Sequence, residues 1–306
     1  MFGLRLLEVA LALLTAASSV SGEGMVLTPR GLRRSSTVHQ VPAGGKVQHM
    51  PDSSIHVLDP SGATIEVVNP EVVNPEVVAR RAPTPILSPN DLFAYGQVFN
   101  SNDVMPYGTL NVSFAVPPQP TKNDNQSVFL SGPMMYSVDE DTFADFTNSA
   151  LQWGPSAAGG GAFWSVSTWY FASGEMFFTP LVNVSVGQTL NTEMQLIGIP
   201  NCAYNYLTQF TNIPGTNMLI FGAKQLRGDF LSLEVPGAVI VNGVTTRGEY
   251  PVGSTTFTTA LRYLNRDSPG AFWGAISNTQ NNRNVSASSP TNGADAVIRI
   301  DYGCCV

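Results

Sequence analysis

The stretch Ala162-Phe-Trp-Ser-Val-Ser-Thr-Trp-Tyr-Phe171 decides the fold class. Aromatic, aliphatic and hydroxyl side chains follow one another, with Gly159-Gly160-Gly161 before the run and Ser173-Gly174 after it. A run of that composition between turn residues is a strand. Outward from it the pattern recurs in both directions. Val128–Tyr136, Ala150–Trp153, Met176–Val186, Thr189–Ile199, Tyr204–Phe210, Met218–Phe221, Asp229–Val235, Ala238–Val241, Thr255–Leu264 and Ala294–Tyr302 are further candidates. Only Thr142–Leu151 offers a short helical alternative. Eleven short strands with so little helical period predict an all-β protein, an antiparallel β-sandwich or barrel.

Composition narrows the function classes. The chain has 306 residues, 43% hydrophobic, which is enough for a sizeable core. Charged residues are only 12%, about half the usual globular share. The net charge of -7 argues against a nucleic-acid partner, which needs a basic stripe. At the start, Arg5 precedes a mostly apolar stretch, Leu6–Ala17, and small residues through Gly22. That is the pattern of a secretory signal peptide over residues 1–22. The stretch is too short to span a bilayer, and no later apolar run is long enough. The expected protein is secreted and extracellular, with no membrane partner. Four sequons fit export and predict glycans at Asn111, Asn125, Asn183 and Asn284.

Residues 23–89 differ from the rest of the chain. Their six basic and six acidic side chains cancel, and aromatic residues are absent, which predicts little core. A tandem repeat runs Glu66-Val-Val-Asn-Pro70, Glu71-Val-Val-Asn-Pro75, Glu76-Val-Val78. Its five-residue period fits neither a helix nor a regular strand, so it is read as an extended linker. Arg80-Arg81 ends that linker as a plausible processing site. The expectation is a prosegment over 23–89 and one β-sandwich domain over 90–306.

All three histidines, His39, His49 and His56, lie in the prosegment. The domain therefore cannot assemble a Ser-His-Asp triad, a Cys-His pair or a histidine metal site. The expected site holds no metal and no cofactor. Asp139-Glu140-Asp141 has oxygen ligands of the kind calcium takes, but a solvated acidic turn is the simpler reading. The three cysteines are Cys202, Cys304 and Cys305. Cys202 can pair with either of the others, or the adjacent pair can form a vicinal bridge. A bridge from Cys202 that staples the C-terminus is preferred. What remains for chemistry is carboxylates, amides, Tyr and Lys, and carboxylate catalysis works best in acid.

Leu151-Gln152-Trp153-Gly154, the Gly-rich turn, Phe163-Trp164 through Trp169-Tyr170, and Pro180 through Val186-Gly187-Gln188-Thr189 form a distinctive order. It resembles secreted fungal proteins with a concanavalin-A-like sandwich (jelly roll) and, more distantly, the fungal glutamic peptidases, or eqolisins. The resemblance covers roughly residues 128–250. It implies two packed antiparallel sheets and a Gln–Glu dyad on a concave face. In that dyad the glutamate is the general base on a water, and the glutamine polarises the carbonyl and holds the oxyanion. By position in the motif, Gln152 is the glutamine. Glu234, in Phe230-Leu-Ser-Leu-Glu234, is the candidate glutamate; an alternative alignment puts Met218 there. Trp153, Trp164, Trp169 and Tyr170 are candidates to line the cleft and stack on a ligand.

Three functions remain open on the sequence. The first is an acid endopeptidase of the glutamic type, or a degenerate relative, acting on polypeptide. The second is a non-catalytic, lectin-like protein that binds glycans. The third is a glycoside-cleaving enzyme, which needs a second carboxyl across the cleft.

Overall fold

The computed structural model describes residues 24–70, 94–100, 106–139, 142–226, 229–234, 247–269, 271–276, 284–288 and 295–302. The N-terminal part carries β1 (Met25–Thr28), β2 (Gly31–Arg34), β3 (Val38–Gln40), β4 (Lys46–His49), β5 (Ile55–Leu58) and β6 (Thr64–Val68). Next come β7 (Ala94–Asn100), β8 (Tyr107–Ala115), β9 (Val128–Asp139), β10 (Thr142–Ser156), β11 (Gly159–Ala172), β12 (Glu175–Phe178) and β13 (Val182–Asn183). The chain continues through β14 (Thr189–Gly198), β15 (Tyr204–Phe210), β16 (Met218–Ala223) and β17 (Asp229–Glu234). It ends with β18 (Ser254–Tyr263), β19 (Ala271–Ile276), β20 (Asn284–Ser288) and β21 (Asp295–Asp301). Among the described residues the helical pieces are three-residue 3₁₀ turns, and no helix is long and apolar enough to cross a membrane.

These strands form an all-β sandwich. One sheet has nine strands in the order β19-β7-β17-β9-β10-β11-β12-β3, with β13 beside β11. The other has ten, in the order β20-β21-β18-β8-β14-β15-β16-β4-β5-β6. Pairing is antiparallel throughout, except where β3 joins β12 and β4 joins β16. Alternation along the strands builds the core between the sheets. Val128 and Leu130 of β9, Leu151 and Trp153 of β10, and Trp164, Val166 and Tyr170 of β11 belong to it. They meet Leu110 and Phe114 of β8, Met194 of β14, Tyr206 of β15 and Phe257 of β18 from the opposing sheet. Burying each such side chain contributes about 1.5–3 kcal/mol.

Two expectations from the sequence are corrected here. Thr142–Leu151 is strand, the first part of β10. Phe146 and Ala150 are four residues apart, a spacing that satisfies a helix and a two-residue period alike. The sheet on both sides of β10 decides the matter. Second, residues 24–70 contain real core: Val41, Val47, Ile55 and Val57 are all at 1% exposure or less. A lack of aromatic residues did not mean a lack of core, because β-branched aliphatics at a two-residue period supply it. The Glu66-Val-Val68 unit of the repeat lies in β6; the rest of the repeat and Arg80-Arg81 fall outside the described residues. This segment is an addition at the sheet edges. Remove β3 and eight strands remain in one sheet; remove β4, β5 and β6 and seven remain in the other.

Candidate functional site

Gln152 lies between two core residues of β10, Leu151 and Trp153. Neighbouring strand residues point to opposite faces, so its side chain must lie on the outer face of the nine-stranded sheet. That face holds a second, smaller apolar cluster: Phe129, Met134, Phe146, Ala150, Trp169, Met176 and Phe178. It interleaves them with amides and hydroxyls. Asn148 Nδ2 donates to Ser131 Oγ at 2.9 Å, and Ser167 Oγ donates to the Thr179 carbonyl at 2.7 Å. Asn148 Oδ1, Ser165 Oγ and Trp169 Nε1 are buried without a hydrogen-bond partner among the described residues. Such atoms are costly to bury unpaired; Thr147 Oγ1, Trp153 Nε1 and Trp164 Nε1 on the inner side share that condition.

Register brings the two candidate dyad residues into one line. Phe129 of β9 pairs with Gln152 of β10 on one side and with Glu234 of β17 on the other. Two strand spacings, about 10 Å, separate the backbones of Gln152 and Glu234. Ser165 of β11 and Asn183 of β13 continue the row beyond Gln152. Met218 lies in β16 of the other sheet, fully buried opposite Thr208, so the alternative alignment does not reach this row.

The Gln152 amide is fully engaged by its own hairpin. Its Nε2 donates to the carbonyls of Gly154 at 2.8 Å and Gly159 at 2.9 Å, and its Oε1 accepts from Ser156 Oγ at 2.9 Å. The turn is built to receive it. Gly160 has φ +107°, and a Cβ there would stand 2.4 Å from Gln152 Nε2. Both N–H donors are spent, so an oxyanion could be held only in exchange for one of these bonds.

The four aromatic candidates divide between the faces. Trp153 and Trp164 form an edge-on pair, centroids 5.4 Å apart, inside the sandwich. Tyr170 is also in that core. These three therefore do not line an outer groove; adjacency to Gln152 along the strand is what places Trp153 on the wrong side. Trp169 alone is on the outer face, against Phe178 at 5.2 Å.

A hairpin from the N-terminal segment lies over this outer face. The Leu27 carbonyl of β1 accepts from Ala157 N at 2.7 Å, beside the Gln152 turn. Arg30 stacks over Phe146 at 5.0 Å, and Arg33 stacks over Phe171 at 4.4 Å. Burial, then the nearby charge of Arg30, lowers the Arg33 pKa to about 10. No expectation from the sequence anticipated this cover. The signal available was the cluster Arg30, Arg33 and Arg34, three arginines within five residues.

The other expected sites fare differently. Asn111, Asn125, Asn183 and Asn284 are all exposed. Cys202 is exposed with a free thiol. Its turn follows the C-terminal end of β14, which aligns through β8 and β18 with the start of β21. A bridge from Cys202 to the C-terminus would involve residues outside the described ones. Cys304 and Cys305 lie outside the described residues, as do Glu140 and Asp141.

No family model matches the chain, and no curated protein matches it in sequence. Two solved structures of scytalidoglutamic peptidase, one with a peptide-based transition-state analogue and one with a transition-state analogue inhibitor, are similar to it. In each the identity is 12%, the alignment covers 67% of this chain and 96% of the other, and the TM-score is 0.40. The chain is thus distantly similar to glutamic peptidases.

Proposed function

We propose that this chain is a glutamic-type acid endopeptidase, or a degenerate relative of one, that acts on polypeptide at the outer face of the nine-stranded sheet. The observation that carries the reading is the row Glu234–Phe129–Gln152, which places an amide and a carboxylate residue in register on one sheet. Histidines are confined to residues 39–56, so carboxylate and amide chemistry is what the sandwich can offer. In this reading Glu234 takes a proton from water, and the Gln152 amide supports the oxygen that gains charge. Unpartnered polar atoms of Asn148 and Ser165 suit the carbonyls and N–H groups of an extended peptide. We also propose that the protein is exported and glycosylated, which the exposure of all four sequon asparagines supports.

The test is cleavage of an unfolded protein at about pH 3 by the wild type and by Glu234→Gln. Loss of activity in the variant is the expected result; equal activity in both rejects Glu234 as the base. A second reading is a non-catalytic binding sandwich, favoured by one observation: every donor of Gln152 is already used by its own turn. Inactivity of both folded proteins selects it, and glycan-array binding would then identify a lectin-like role.

A further inference from the structure

Residues 24–70 join the rest of the molecule at an edge of each sheet, and a histidine makes a side-chain contact at each of these two seams. On β3, His39 Nε2 lies 3.0 Å from Glu175 Oε2 of β12, while its Nδ1 lies 2.8 Å from Glu66 Oε1 of β6. On β4, His49 Nε2 lies 2.7 Å from the hydroxyl of Tyr170 in β11. Each histidine sits on the strand that adds its parallel partner to the edge of a sheet. The contacts thus fasten the two seams of the segment, one per sheet.

We propose that residues 24–70 form an acid-loosened cover of the sandwich, with His39 and His49 as its two clasps. The clasps respond to acid differently. Around His39 stand Glu66 on its own segment and Glu175 on β12, and Glu175 also attracts the Arg33 guanidinium. Burial alone would lower the His39 pKa, but hydrogen bonds to Glu175 and Glu66 raise it above 6.5. A raised histidine holds the docked form below its ordinary value and releases that stability as pH rises.

His49 works the other way. It faces Tyr170, whose hydroxyl is hydrogen-bonded to Asp145 of β10, with Tyr206 of β15 nearby and Lys224 just past β16. Burial first, and Lys224 second, pushes the His49 pKa down from 6.5 to about 4. Docked, the ring is neutral; exposed, it takes up a proton once the pH falls below about 6.5. Acid therefore favours the open form, increasingly from pH 6.5 down to about 4. That difference corresponds to roughly a hundredfold more frequent opening at pH 3.5 than at pH 6.5. Docking is then firmest in weak acid or near neutrality, and it weakens where a carboxylate catalyst becomes active.

Hydrogen exchange on the full chain tests this, and it reports docking whether or not the protein is a peptidase. The Glu234→Gln chain is used so that self-cleavage cannot intervene, and rates are corrected for intrinsic pH dependence. On going from pH 6.5 to 3.5, protection of residues 38–58 falls roughly a hundredfold more than protection of the β8–β14 pair. In His49→Gln most of that extra fall disappears. Lys224→Met, which removes the charge that helps hold His49 neutral, serves where His49→Gln does not fold, and it reduces the fall as well. An equal fall in both regions, or a fall that neither substitution changes, overturns the proposal.

Discussion

The two faces of the nine-stranded sheet differ although they share the same strands. At Trp153 the chain contributes an indole to a continuous aliphatic and aromatic core; one residue earlier, at Gln152, it contributes an amide to a face where apolar groups alternate with Ser131, Asn148 and Ser165. Both faces are buried. What separates them is what does the burying: the opposing sheet on one side, and on the other a hairpin of the N-terminal segment with two stacked arginines. The inner face is a permanent structural layer. The outer one mixes apolar side chains with amides and hydroxyls and lies against the arginine-bearing hairpin.

Substitutions can break or sharpen this contrast. The largest effect is expected inside. Trp164→Ala leaves a cavity between the sheets and costs about 3–5 kcal/mol, read by urea unfolding at neutral pH. A cost below about 1 kcal/mol would mean that the inner layer is not the structural one. On the outer face, Gln152→Ala leaves the buried carbonyls of Gly154 and Gly159 without their donor, at about 1–3 kcal/mol by the same measurement. Gly160→Ala drives a Cβ against the same amide, so the double variant should cost clearly less than the sum of the two single ones. Additive costs would show that the turn and the amide do not act together. The smallest effect is expected at the exposed rim of the other sheet. Arg262 pairs with Asp295 between β18 and β21, and both are substantially exposed. Arg262→Ala should cost at most about 1 kcal/mol, and the difference from wild type should vanish in 1 M salt.

The sandwich was legible because its strands carry the signal twice, in period-two alternation and in glycine and proline punctuation. Tyr204–Phe210 was expected and found with the same limits. Tyr107–Ala115 is absent from the strands expected although its burial alternates, and Asn111 is an outward-facing residue of that strand. The N-terminal strands were missed too. Their burial depends on edges that β12 and β16 offer, which short β-branched alternations such as Ile55-His-Val57 do not reveal. The site was legible along one strand only. Alternation puts Gln152 and Trp153 on opposite faces, against the expectation that both serve one cleft, and the row that joins Gln152 to Glu234 through Phe129 is a matter of register, which spacing does not encode.

The central claim is that Gln152 and Glu234 serve one reaction on one face. The most direct measurement is a double-mutant cycle on kcat/KM for an unfolded protein substrate at about pH 3. It compares wild type, Gln152→Ala, Glu234→Gln and the double variant, each shown to be folded. A loss of at least about a hundredfold is predicted in each single variant. The double variant should be little worse than the weaker single one, because the two side chains act as a unit. Losses that simply multiply, or activity untouched by either substitution, would contradict the claim.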